Sequence, residues 1–146
     1  MIEAIFFDID GTLVSFRTHT IPESAKRALF ALREAGVKLI IATGRPPSNL
    51  EVLSHSIDLE FDAYITINGQ YCFDRDGVIY ERSLPTDSVR SVVPYLEREQ
   101  IACSFVESDR TYYNLVNDRV RALNRKLGQS DKRDRIEAVE DAWKRR

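Results

Sequence analysis

Asp8 and Asp10 stand one residue apart at the end of the apolar run Ala4-Ile5-Phe6-Phe7, and Gly11, Thr12 and Leu13 follow at once. On an extended backbone, residues two apart point to the same side, so this spacing aims both carboxylates at one place. Two anions that close repel each other and are costly to desolvate together. The pair makes chemical sense if a divalent cation or a transferring phosphoryl group lies between them. Gly11 lets the chain turn sharply, and Thr12 adds a hydroxyl. An isolated Asp-Gly would indicate only a turn after a strand; the apolar run before the full hexapeptide is what shifts the reading toward chemistry.

The elements that must hold these acids follow from the apolar pattern. Val14 to Ile21 reads as a loop or flap. Thr20 with Glu23 fits a capping box, Pro22 suits a first helical turn, and Ala25, Ala28, Leu29 and Leu32 recur at helical spacing before a stop at Gly36. Val37 to Ala42 is then a second strand, parallel to the first through a helical crossover. It ends in Thr43-Gly44-Arg45, where Pro46, Pro47 and Ser48 open a second helix carrying Leu50 and Leu53. Phe61 to Ile67 forms a third strand closing at Asn68-Gly69. Alternation of this kind predicts a doubly wound α/β sheet, which binds ligands beyond the carboxyl ends of its strands. Asp8, Thr43 and Asn68 all fall at such ends.

From about Gln70 the pattern turns β-rich. Tyr71-Cys72-Phe73 and Val78-Ile79-Tyr80 flank Asp76-Gly77, a hairpin signal. Val89, Val92, Val93 and Leu96 share a helical face that Pro94 should kink or delay. Ile101 to Val106 and Thr111 to Val116 predict two strands around a polar turn, and Val120, Leu123 and Leu127 a helix ending at Gly128. The densely charged segment from Ser130 to Arg146 carries one thin apolar stripe, Ile136, Val139 and Trp143, and predicts a solvated helix. The expected organisation is a core over residues 1–69, an α+β segment over 70–128 and a charged tail over 129–146.

Composition narrows the partners. In 146 residues, 21 Lys and Arg stand against 23 Asp and Glu, a formal charge of −2, which gives no basic excess to argue for nucleic acid. Cys72 and Cys103 lie far apart, without the spacing of a zinc ribbon or a disulfide scaffold, and suit a reducing cytoplasm. The start Met1-Ile2-Glu3 leads directly into the first strand, with no basic leader and no membrane-length apolar run. A cytoplasmic protein without a membrane partner is the expectation.

Asp8 to Leu13, after its apolar strand, resembles the first motif of the haloacid dehalogenase (HAD) superfamily in full. Thr43-Gly44-Arg45 is similar to the second motif of that superfamily's Cof-like branch, and Ile65 to Gly69 with the hairpin and Leu84-Pro85 looks like the insertion point of its C2-type cap. The resemblance covers Met1 to about Leu127. It implies a HAD-like Rossmannoid parallel sheet, its core incomplete, with an α+β C2-type cap segment. It also implies a Mg²⁺-dependent phosphatase acting on small phosphorylated metabolites such as sugar phosphates. Asp8 would be nucleophile and metal ligand. Asp10 would be general acid and base, with its backbone carbonyl on the metal. Thr12, Thr43 and Gly44 would bind substrate, Arg45 would pair with its phosphate or brace the loop, and Asn68 would touch substrate or the acids or serve only as the turn residue before Gly69.

Two parts of the family's pattern are missing. Lys126, Lys132 and Lys144 do not precede a core strand, and Asp131 and Asp134 follow none, so neither the third-motif Lys nor the fourth-motif acids are found. Tyr113 to Asp118 imitates the fourth motif, but Tyr replaces Gly and an amide replaces the first acid; a strand and its exit within the cap fit these residues better. The expectations are a truncated chain with impaired turnover and an exposed first-strand edge through which a homo-oligomer could form. A non-catalytic phosphate- or metal-binding fragment is the alternative, as is a capless enzyme using Asn117 and Asp118.

Overall fold

The computed structural model describes residues 2–126. They fall into two compact units that divide after Ser83. The first unit is built on a five-stranded sheet in the order β1 (Ala4–Phe7), β2 (Lys38–Ala42), β3 (Ala63–Thr66), β4 (Tyr71–Asp74) and β5 (Gly77–Glu81). β1, β2 and β3 are parallel, with Ile5 opposite Leu39 and Ile41 opposite Tyr64. β4 and β5 continue the sheet antiparallel. The first three strands form a Rossmann-like arrangement, with α1 (Glu23–Glu34) as the crossover between β1 and β2. Ile9, Leu13, Val14, Ile21, Leu29, Leu39, Ile41, Leu53, Ile57 and Phe61 make one contiguous buried core. β1 is an edge strand, and Phe6 is 59% exposed on it.

Several sequence expectations change in detail. The Thr20–Glu23 capping box does not form. Pro22 takes the N-cap position and makes Glu23 the first helical residue, two places too early for Glu23 to reach back, while Thr20 donates its hydroxyl to that of Thr18. Gly36, at φ +78°, ends α1 as expected: its amide returns to the Arg33 carbonyl and that of Val37 to Leu32. Ser48 does not open the second helix. Pro47–Asn49 is a 3-10 turn, and α2 runs only over Glu51–Ser56, with Leu53 buried.

The hairpin turns at Arg75-Asp76, where the Asp74 carboxylate accepts the amides of Asp76 and Gly77 at 2.8 and 3.2 Å. Its strands pair continuously with β3, so the change of pattern at Gln70 does not interrupt the sheet, and the first compact unit extends through Ser83.

The second unit holds α3 (Thr86–Arg98), a two-stranded antiparallel ladder of β6 (Ser104–Val106) and β7 (Thr111–Tyr113), and α4 (Asp118–Lys126). α3 starts eight residues before Pro94 and continues through it without delay, with Val93 and Leu96 buried on its inner face. Proline leaves the Arg90 carbonyl without an amide partner, which an exposed position such as Arg90 tolerates by bonding water. The ring of Phe105 stacks on Tyr112 at 5.6 Å. The expected tail helix, with Ile136, Val139 and Trp143, lies outside the described residues, as do Lys132, Lys144, Asp131 and Asp134. Among the described residues, no helix is long and apolar enough to cross a membrane.

Candidate active site

The acid pair is set by Ile9, fully buried between two exposed carboxylates. The amides of Leu13 and Val14 both donate to the Ile9 carbonyl, at 3.1 and 2.8 Å, and Gly11 donates back to the Val14 carbonyl at 2.9 Å. This loop requires φ +82° at Gly11, where a β-carbon would also come within 2.5 Å of the Phe16 ring. The apolar anchor at Ile9 therefore fixes the base of the acid loop.

Thr43-Gly44-Arg45 is built against the tip of β3. Thr43 donates its amide to Ile65, while Ile67 and Asn68 donate theirs back to the carbonyls of Arg45 and Thr43, at 3.1 and 3.2 Å. The returning turn holds Ile67, Asn68 and Gly69 at φ +51°, +54° and +91°. A β-branched residue in the left-handed region is strained, and here the two bonds to the second loop hold it. Gly44 fits closely beneath: a β-carbon there would meet the Asn68 amide oxygen at 3.2 Å. The Thr43 hydroxyl accepts the Arg45 amide at 3.1 Å and keeps its own proton to donate.

An open cleft of about 360 Å³ lies between these tips, lined by Asp8, Ala42, Thr43, Gly44, Ile65, Asn68 and Gly69. Four expected site residues, Asp8, Thr43, Gly44 and Asn68, thus share one cavity. Asp10, Thr12 and Arg45 do not line it. Thr12 is exposed in the turn, and Asp10 is engaged by Arg45, whose Nε and Nη2 donate to its two carboxylate oxygens at 2.8 and 2.7 Å. These hydrogen bonds hold the Asp10 carboxyl below its ordinary range, against an opposing effect of burial, and the same bonds raise Arg45. Sequence reasoning did not single out Ala42, Ile65 or Gly69. Their signal was position alone, at or just past the ends of strands.

Asn114 and Asn117 serve the second unit. The Asn114 side chain accepts the Cys103 amide at 2.7 Å and donates to the Ile101 carbonyl at 3.0 Å. Asn117 accepts the amides of Arg119 and Val120 at the start of α4. Among the described residues, no group of three or more His, Cys, Asp or Glu gathers to hold a metal. The donors at the β1 tip are nonetheless hard oxygens, which suit Mg²⁺, an ion that takes one or two carboxylates and fills its shell with water and phosphate oxygens.

Carboxylate, hydroxyl and a bare glycine at the carboxyl ends of adjacent parallel strands make this an α/β protein with its ligand cleft at the strand tips. The chain belongs to the haloacid dehalogenase-like hydrolases, whose family profile matches residues 5–143. A sugar phosphatase of HAD subclass IIB is similar in structure, with TM-score 0.72 and 42% identity over 83% of this chain and 47% of its own. A superfamily phosphatase from Bacteroides thetaiotaomicron aligns with all of this chain and 53% of its own, at TM-score 0.79 and 29% identity. The Bacillus subtilis protein YkrA is 30% identical over 105 residues, 72% of this chain and 40% of its own length. The HMP-PP phosphatase of Yersinia pestis is 40% identical over 90 residues, 60% of this chain and 32% of its own. The chain therefore spans less than half the length of these two relatives.

Proposed function

We propose that this chain carries the site of a Mg²⁺-dependent phosphomonoesterase for small phosphorylated metabolites such as sugar phosphates. The observation that carries the proposal is the exposed Asp8 carboxylate sharing one cleft with Thr43 and Gly44 in a chain of this hydrolase family. Asp8 attacks phosphorus: a bond forms from its carboxylate oxygen, the bond from phosphorus to the ester oxygen breaks, and the leaving oxygen takes a proton from Asp10, which must enter this step as the carboxylic acid, with one oxygen released from the Arg45 fork. Water then attacks the aspartyl phosphate, giving its proton to Asp10 and releasing phosphate and the Asp8 carboxylate. The Thr43 hydroxyl donates to a phosphoryl oxygen, Gly44 leaves room for it, and Asn68 borders the same space. Mg²⁺, held by the Asp8 carboxylate and the Asp10 backbone carbonyl, would supply charge neutralisation.

Hydrolysis of an aryl phosphate with and without Mg²⁺ tests the reading. Turnover should require Mg²⁺, and Asp8→Asn should lower it by roughly a thousandfold or more, as loss of a covalent nucleophile does. Turnover that survives Asp8→Asn would overturn the assignment. The outcome that would replace hydrolysis by binding alone is saturable phosphate binding with no product.

A further inference from the structure

We infer that Arg45 is a positioning residue that fixes the Asp10 carboxylate, and not a ligand of the substrate phosphate. The inference rests on the phosphatase reading above and deepens it. All three guanidinium nitrogens of Arg45 are engaged: Nε and Nη2 grip the two Asp10 oxygens at 2.8 and 2.7 Å, and Nη1 donates to the Asn49 carbonyl at 3.1 Å. Its backbone is tied as well, the amide to the Thr43 hydroxyl and the carbonyl to the Ile67 amide. Arg45 does not line the cleft that holds Asp8, Thr43 and Asn68.

A fork of two parallel bonds fixes the plane of a carboxylate as well as its place, which a point charge cannot do. Among the described residues, Arg45 supplies every hydrogen bond that the Asp10 side chain accepts. The Asp10 side chain is 41% exposed, so solvent weakens the attraction, and the geometric effect is what remains distinctive. The strained turn at Ile67 thus has a use. By pinning the Arg45 carbonyl it anchors the arm that aims Asp10, and links the tip of β3 to the acid loop through the second motif.

Arg45→Lys and Arg45→Ala separate positioning from phosphate binding. Positioning predicts that both lower kcat by about 10- to 100-fold, because misplacing a reacting group by about 1 Å costs on that scale. KM for an aryl phosphate and the Kd of inorganic phosphate should stay within about threefold, and Lys should not rescue kcat. A phosphate ligand predicts the reverse: a Kd raised about tenfold or more by Arg45→Ala and largely restored by Lys, since Lys serves phosphate well as a point charge. That result would overturn the inference.

Absent turnover in the parent chain would defeat the phosphatase reading alone. The pair would then be decided by urea unfolding of Arg45→Ala, Asp10→Asn and the double variant. Coupled residues predict a double variant no less stable than the worse single, and additive losses would overturn the inference. If Arg45→Ala does not fold, Arg45→Lys carries the same cycle.

Discussion

The two units bury their apolar residues in different ways. In the first, ten side chains from β2, α1, α2 and the loops after β1 and before β3 form one contiguous core. In the second, Val93, Leu96, Tyr112 and Val120 are the buried apolar residues among those described, and the face between α3 and the β6–β7 ladder leaves a cavity of about 160 Å³ lined by Val89, Val93, Pro94, Phe105 and Tyr112. Every candidate site residue is in the first unit. A site is more precise on rigid, well-supported elements, and here the acid loop hangs from Ile9 and the second loop from β2 and β3, all tied to the larger core.

The largest effects should expose this contrast directly. Leu39, on β2 between β1 and β3, is fully buried and belongs to the contiguous core. Leu39→Ala should cost about 2–5 kcal/mol in urea unfolding, the transfer loss plus a cavity that the sheet cannot close. Val93 already borders open space, so its truncation removes fewer contacts and should cost less than about 2 kcal/mol. Equal losses would break the comparison and show the second unit to be as well packed as the first.

A polar hub sharpens the account of the first unit. The Asp62 carboxylate accepts the Leu39 amide at 2.9 Å and Lys38 Nζ at 3.0 Å, and Arg33 Nη2 lies 3.3 Å away. Burial pushes its carboxyl up, but the Leu39 amide and the two cations outweigh burial and hold it below its ordinary value of 3.8. A carboxyl lowered on folding adds stability that is complete above the unfolded value and disappears as pH falls through the folded one. Asp62→Asn should therefore cost about 1–2 kcal/mol at neutral pH, at the low end for hydrogen bonds to a charged group because Lys38 is largely exposed. The difference from the parent chain should stay constant from pH 7 to about 5 and shrink progressively below about 4, as the parent's advantage is protonated away. A gap that does not shrink at all as pH falls below about 4 would assign the effect to the substituted side chain itself and not to its charge.

Much of this architecture was legible in the residues. The apolar runs ending in Asp8, Thr43 and near Asn68 announced parallel strands, and the strand-tip rule places Asp8, Thr43 and Asn68 together from the sequence alone. What sequence could not display was pairing at long range. Asp10 and Arg45 stand in different loops, and nothing local in either marks a fork between them, so the residues alone leave Arg45 open between pairing with phosphate and bracing the loop. Tertiary burial overrode local preference at Pro94, where Val93 and Leu96 keep α3 continuous. The strands β6 and β7 are shorter than the apolar runs that encode them for a different reason. The Asn114 side chain takes the Cys103 amide and the Ile101 carbonyl, replacing ladder bonds with side-chain ones just where the runs would have continued.

The smallest expected effect concerns the start of α1, where a familiar signature misleads. Thr20, Pro22 and Glu23 have the types and spacing of a capped helix, yet the side-chain bond of Thr20 goes to the Thr18 hydroxyl at 3.1 Å and the N-cap is Pro22, with no side-chain cap. Proline at φ −60° and ψ 148° already holds the extended geometry an N-cap needs, which displaces the helix start past the reach of Thr20. Removing a true Thr cap costs about 1 kcal/mol. Thr20→Ala should instead cost less than about 0.5 kcal/mol, the ordinary range for an exposed position outside such features, and shift Tm by no more than a degree or two. A loss of a full kilocalorie would mean that Thr20 caps α1 in solution after all, and that the loop after the acids is held from the helix as well as from Ile9.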